Sequence, residues 1–377
     1  MEAKLIYLDN SATTKPLSEV LEIEKKCNET NFFNCSSSYF GGVDSNKLLK
    51  CARTNISKIL NCENSELLFS PSGTIANNAA IFGGVKNKQG RALCFSLEHP
   101  SVYNCFLELK NKGYDIEFIK ANNFGAVDIE NFKQLMTKNV YFVSIMHVNN
   151  VTGAINDIGS ISKIIKNQNK NCIFHSDGVQ AFTKVPVNLK NLDIDLYTVS
   201  AHKLNGIKGS AALFKRKNLN LSPHIFGGGQ ESNVFSGTEN LGAVLGFEFA
   251  VNFHYKNFDL HFKHLSNLKN YLTSGLKAFR NVYILDKDKG FSPHILNVSF
   301  KNVKAEVLQQ QLSNDGIYIG IGSACNKTSK EKRYLTPLNL EKGYFDGNIR
   351  LSLDYTNTEK EIDEFLQKLK GALKIYD

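Results

Sequence analysis

Cys172-Ile-Phe-His-Ser-Asp177-Gly-Val-Gln180, followed by Leu196-Tyr-Thr-Val-Ser200-Ala-His202-Lys203, reads as two short apolar strands that each end in polar side chains. Neither strand alternates apolar with polar residues, so both faces of each are expected to be covered, as in a parallel sheet between helices. The same pattern extends outward. Leu67–Ser70, Ala92–Ser96, Ile116–Ile119, Val140–Met146, Cys172–His175, Leu196–Val199 and Ala211–Phe214 read as strands. Helix-like segments such as Ile75–Gly83 and Ile158–Asn167 separate them. Alternation of this kind predicts an α/β domain on a mainly parallel seven-stranded sheet. After Gly246 the pattern changes to long amphipathic stretches, Glu248–His264 and Leu268–Phe279. Ile295–Phe300, Ala305–Asp315 and Thr358–Ala372 follow, and together these predict a smaller α+β domain. The expected division is a large domain over residues 15–250 and a small one over 1–14 and 251–377.

Composition narrows the function classes. The chain has 377 residues, 42% hydrophobic and 21% charged, which suits a globular protein with a sizeable core. No apolar run approaches the ~20 residues that span a bilayer, and Met1-Glu2-Ala3-Lys4-Leu5 opens no secretory apolar region. A cytoplasmic protein without a membrane segment is expected. The net charge of +9 comes mostly from lysines spread along the chain, which reads first as a solvated surface and only weakly as favouring acidic partner proteins or tRNA. No interleaved aromatic and basic motif points to direct nucleic-acid binding. The eight cysteines form no C-x-x-C pair and no zinc spacing, so neither a metal site nor a disulfide framework is expected.

In open α/β sheets, ligands collect just past the strand ends. Asp177 stands at one such end, and Lys203 stands at another. Each alone has an ordinary reading, Asp as a helix cap and Lys as a solvated side chain. Together they are the two charges that pyridoxal 5'-phosphate chemistry requires, an amine for the cofactor's aldehyde and a carboxylate for its ring nitrogen. Pro71-Ser72-Gly73-Thr74 closes a strand and opens a helix, offering backbone N–H groups and hydroxyls to a phosphate. Glu98-His99 and Met146-His147-Val-Asn149-Asn150 follow two further strands.

With these motifs assembled, the chain resembles the cysteine desulfurases of the class V aminotransferase family, fold-type-I enzymes that use pyridoxal phosphate. Tyr7-Leu-Asp9-Asn-Ser-Ala-Thr-Thr14, Ser72-Gly-Thr74, Glu98-His99, His147-Val-Asn-Asn150 and His175-Ser-Asp177-Gly-Val-Gln180 carry the resemblance. Ser200-Ala-His-Lys203, Gly227-Gly-Gly229, Ser236-Gly-Thr238 and Gly322-Ser-Ala-Cys325 continue it in order. The resemblance implies Lys203 as the Schiff-base lysine, Asp177 on the pyridine nitrogen and His99 stacked on the ring. It places Asn150 and Gln180 near the ring oxygen and substrate. Gly73, Thr74, Ser200 and His202 would hold the phosphate, with Thr238 reaching in from a second subunit of a homodimer. Arg350 would clamp the carboxylate of L-cysteine, and an arginine fork suits that task. Cys325 would take the sulfur as a persulfide, its thiolate favoured by Lys327 and Lys330, and pass it to an acceptor protein. That acceptor would be an iron–sulfur scaffold or a tRNA-thiolation relay.

Several positions depart from the family pattern. Ile75 and Val151 replace glutamates, Phe235 replaces an arginine, Gln230 a histidine and Ile207 a proline. Two other readings therefore fit the same motifs. One is a selenocysteine lyase or other pyridoxal-phosphate β-lyase. The other is a catalytically weakened relative that acts as a binding partner in sulfur transfer.

Overall fold

The computed structural model describes residues 5–286, 290–322 and 332–374. Among these residues, twelve strands form two sheets. In chain order they are β1 (Ile6–Leu8), β2 (Leu67–Ser70), β3 (Arg91–Phe95), β4 (Asp115–Ile119), β5 (Val140–Ser144) and β6 (Ile173–Asp177), then β7 (Leu196–Ser200), β8 (Ala211–Lys215), β9 (Val282–Leu285), β10 (Ile295–Phe300), β11 (Ile317–Ile321) and β12 (Asn348–Ser352). The larger sheet has the order β2-β8-β7-β6-β5-β3-β4. Only β8 runs against its neighbours there, so the sheet is mainly parallel, as its apolar runs predict. Phe95, Phe142, Phe174 and Tyr197 on its central strands are fully buried. Burying side chains of this size contributes roughly 2–3 kcal/mol each before entropy is counted.

The smaller sheet has the order β1-β11-β12-β10-β9, and its own apolar core includes Ile6, Leu8, Leu296, Leu308, Ile349 and Phe365. β1 has only three residues, yet it pairs in parallel with β11. The chain then crosses from this sheet to the larger one. Thr14 N–H donates to the His202 carbonyl at 2.9 Å, and Asn205 N–H donates to Thr14 Oγ1 at 2.7 Å. That crossing lays residues 9–14 over the C-terminal ends of the large sheet's strands.

The long amphipathic stretches divide elsewhere than their periodicity predicts. The helices are Leu241–Lys256 and Phe258–Leu276, broken at Asn257 rather than between His264 and Leu268. Asn257 takes φ −105 and ψ 15, and its side-chain amide donates to the Phe253 carbonyl at 2.8 Å. Around this corner His261 stacks on Tyr355 and packs against Phe253 and His254, so ring packing rather than helical period fixes the break.

Candidate active site

Every parallel strand of the large sheet ends on one edge, and the polar loops past β2, β3, β5, β6 and β7 face one cavity of about 350 Å³. β2 leads into the helix Gly73–Gly84, whose N-cap Ser72 accepts from Ile75 N–H at 3.2 Å. The first N–H groups of such a helix have no partner within it and give that end partial positive charge. A Cβ at Gly73 would lie 3.2 Å from Val179 and 3.6 Å from Ser200, so glycine lets the helix tip approach the loops after β6 and β7.

β6 delivers Asp177, which is 5% exposed. Its Oδ1 accepts from Val179 N–H at 2.9 Å, and its Oδ2 accepts from the Asn77 amide at 2.8 Å. Gly178 follows because any Cβ there would collide with the buried Tyr197 ring. Gln180 donates to the Ser11 carbonyl at 2.9 Å. β7 delivers Ser200, His202 and Lys203. Lys203 Nζ donates to the carbonyls of Ser11 and Ala12 at 2.7 and 2.6 Å. Burial, with the nearby Lys184 and Arg350 charges, pushes its ammonium down to about 7. Burial and Lys203 likewise push His202 down to about 4, leaving a neutral ring beside Thr13 Oγ1 at 3.2 Å.

The remaining groups come from β3, β5 and the small sheet. His99 caps the helix Pro100–Asn111, and Asn150 follows β5. Arg350 lies on β12 and is only 9% exposed. Its Nη1 donates to the Asn150 carbonyl at 2.9 Å, and its Nη2 pairs with Asp9 at 2.6 Å. Gly320 faces this pair, because a Cβ there would come 3.0 Å from Arg350 Nε. Among the described residues lining the cavity, five polar atoms are buried without any partner, namely Ser11 Oγ, Asn77 Oδ1, Asn150 Oδ1, Ser200 Oγ and Arg350 Nε. Orphans of this kind are rare unless a ligand or water completes them. Glu98 is also buried, and burial plus the nearby Asp177 pushes its carboxyl well above the usual carboxylate range.

Of the residues singled out from sequence, Gly73, Thr74, His99, Asn150, Asp177, Gln180, Ser200, His202, Lys203 and Arg350 all line this one cavity. Thr238 does not; it is exposed on the segment whose Phe235 bridges to Ile225. Cys325 lies outside the described residues. Sequence reading missed Ser11, Asn77 and Ser101 as lining residues and Asp9 as the partner of Arg350. An asparagine one helical turn beyond Gly73 was the available signal for Asn77, since asparagine is a poor helix former.

The departures from the family pattern are accommodated by packing. Val151 and Phe235 are buried in apolar clusters, and Ile207 is 8% exposed. Gln230 Oε1 accepts from Gly237 N–H at 3.0 Å.

This arrangement, an amine and a carboxylate past adjacent parallel strands with a helix tip beside them, defines a class of enzyme whose relatives are identifiable. The class-V aminotransferase profile matches residues 6–365. Cysteine desulfurase IscS of Buchnera aphidicola subsp. Baizongia pistaciae is 35% identical, covering 98% of this chain and 92% of that protein. The Dictyoglomus turgidum protein of the same name is 32% identical over 98% of this chain and 94% of its own length. Among solved structures, a NifS-like protein from Rickettsia africae superposes with a TM-score of 0.89 at 30% identity, covering 98% of this chain and all of that one. The chain belongs to the class-V aminotransferase family and, within it, to the cysteine desulfurases. It is an enzyme of that type with the mainly parallel fold expected from its sequence, and the lyase and weakened-relative readings are not favoured.

Proposed function

We propose that the chain is a pyridoxal-phosphate-dependent cysteine desulfurase that converts L-cysteine to L-alanine and holds the sulfur as a persulfide on Cys325. The observation that carries this reading is the depressed amine of Lys203 in the same cavity as the buried Asp177, beside orphaned Ser200, Asn150 and Arg350 atoms. That donor set fits the cofactor. Ser200, His202 and the helix tip at Gly73 and Thr74 would take the phosphate, Asp177 the ring nitrogen, His99 a ring face, and Asn150 and Gln180 the ring oxygen side. Bound there, pyridoxal phosphate supplies an electron sink for the pair left at the substrate α-carbon.

The protein's own groups do the rest. Arg350 Nε and Nη2 orient the substrate carboxylate, the guanidinium being fixed from behind by the Asn150 carbonyl. Lys203, with an amine near neutrality at pH 7, both forms the link to the cofactor and moves a proton at the α-carbon. The Cys325 thiolate attacks the substrate sulfur. An S–S bond forms, the Cβ–S bond breaks, and its electron pair returns to carbon, which is protonated as alanine leaves. The persulfide then passes to an acceptor protein for iron–sulfur cluster assembly or tRNA thiolation. Among the described residues no helix is long and apolar enough to cross a membrane. The direct test is alanine formation from L-cysteine and a thiol reductant by protein loaded with pyridoxal phosphate. A loaded protein that forms no alanine would overturn the reading.

The reading includes a homodimer. Thr238 is exposed and absent from its own chain's cavity, so its hydroxyl is available to a second copy. Phe226 is 83% exposed and Phe40 is 80% exposed, large apolar side chains of the kind that a partner would cover. Phe226→Asp should give monomers in sizing chromatography and weaken cofactor affinity about tenfold, because a lost charge-assisted phosphate contact costs roughly 1.5 kcal/mol. Monomers that keep full occupancy would remove Thr238 from the site.

A further inference from the structure

His99 is the N-cap of the helix Pro100–Asn111, an unusual residue for that place. Its Nδ1 accepts the backbone N–H of Ser101 at 3.2 Å, and the Ser101 hydroxyl lies 2.8 Å from the same nitrogen. The direction of that second bond follows from its neighbour. Asn77 Nδ2 donates to Ser101 Oγ at 2.9 Å, and the same amide nitrogen donates to Asp177 Oδ2 at 2.8 Å. With Oγ accepting from Asn77, its own proton is free to donate to His99 Nδ1. Two donors therefore converge on Nδ1, and the ring proton stands on Nε2.

We infer that Ser101, oriented by Asn77, is a positioning residue that locks His99 as the neutral Nε2–H tautomer, so that the ring offers a hydrogen bond and not an imidazolium to the site. This deepens the desulfurase reading and rests on it for its catalytic meaning. A proton on Nδ1 would break both bonds, and in the imidazolium it would also put positive charge at the positive end of a helix. The surroundings agree. Burial is the largest influence and lowers the His99 pKa; Lys203, Arg333 and Arg350 lower it further, and only Asp177 opposes them. Arg333 is held nearby by the Ser96 and Glu98 carbonyls at 2.8 and 2.9 Å. Burial pushes the Glu98 carboxyl well up, and His202, which His99 also influences, is uncharged near neutrality. A neutral imidazole N–H is too weak an acid to give up its proton, so proton movement falls to Lys203 while His99 orients and polarises.

The test reads the tautomer itself. Full-length protein with ¹⁵N-labelled histidine is studied with and without pyridoxal phosphate, the His99 signals being assigned by their loss in His99→Gln. Pyridine-type Nδ1 and pyrrole-type Nε2 shifts are expected, and they should persist as the pH falls through the ordinary histidine midpoint. Ser101→Ala, which keeps the backbone donor but loses the hydroxyl, should mix the tautomers and raise the His99 midpoint by about one unit. Ser101→Thr should restore the wild-type spectrum. In the loaded enzyme, Ser101→Ala should lower kcat about 3- to 10-fold at unchanged KM and move the acidic limb upward. A wild-type His99 with its proton on Nδ1, or a Ser101→Ala spectrum identical to wild type, would overturn the inference. Absence of alanine formation from wild type would instead overturn the desulfurase assignment and leave the tautomer to the spectra.

Discussion

Lys203→Ala lowers alanine formation from L-cysteine by at least about 10³-fold, because one side chain supplies both the covalent link and the proton transfer. The geometry explains why no neighbour substitutes for it. His202 is a neutral ring turned to Thr13, and the other amine near Lys203, Lys184, has its own nitrogen buried away from any partner. The depressed amine adds a pH signature. Above about 7 the folded protein holds Lys203 increasingly as free amine, and below it as ammonium. The rate at which apoprotein takes up pyridoxal phosphate should therefore rise with pH through about 7 and level off above it. Uptake that still climbs steeply at pH 9 would mean that the amine is not desolvated as described. Absorbance of the bound cofactor reads this directly.

Arg350→Ala reduces kcat/KM for L-cysteine about 100-fold, and most of that loss lies in KM. The reason is twofold. The substrate carboxylate loses its paired donor, and the largely buried Asp9 is left without its 2.6 Å partner. Truncating one member of a buried hydrogen-bonded charge pair costs roughly 2–5 kcal/mol, and about 3 kcal/mol corresponds to the factor given. Cysteamine, which has no carboxylate, separates the two effects. Its binding should change little in Arg350→Ala, whereas equal losses for both compounds would show that the variant has damaged the site as a whole. Arg350→Lys should fall between wild type and alanine, since an ammonium cannot hold Asp9, the Asn150 carbonyl and a carboxylate in one plane.

Much of this site was legible before any coordinates. Strand ends are marked by a change from apolar to polar residues, and a parallel sheet gathers such ends on one edge. Asp177 and Lys203 could therefore be paired from their positions after β6 and β7. What escaped was the set of contacts between residues far apart in sequence. Asp9 and Arg350 are brought together only because β1 joins the far end of the chain in one sheet, and three residues are too few to show a strand period. Asn77 and Ser101 are common residue types whose meaning lies in a hydrogen-bond path from Asp177 to His99, which no spacing reveals. The helix break at Asn257 was hidden for a related reason. Aromatic packing against Tyr355, nearly a hundred residues on, decides it. Thr238 is the opposite case, since its proposed role belongs to a neighbouring copy and shows in this chain only as exposure.

The most direct test of the account is to follow where the sulfur goes. Protein loaded with pyridoxal phosphate is given one equivalent of L-cysteine without reductant, and its peptides are mapped by mass. The account predicts one added sulfur atom on the peptide carrying Cys325, alanine in equal amount, and neither product from Lys203→Ala. Alanine formed at an undiminished rate by Cys325→Ala, or sulfur found on another cysteine, would contradict it.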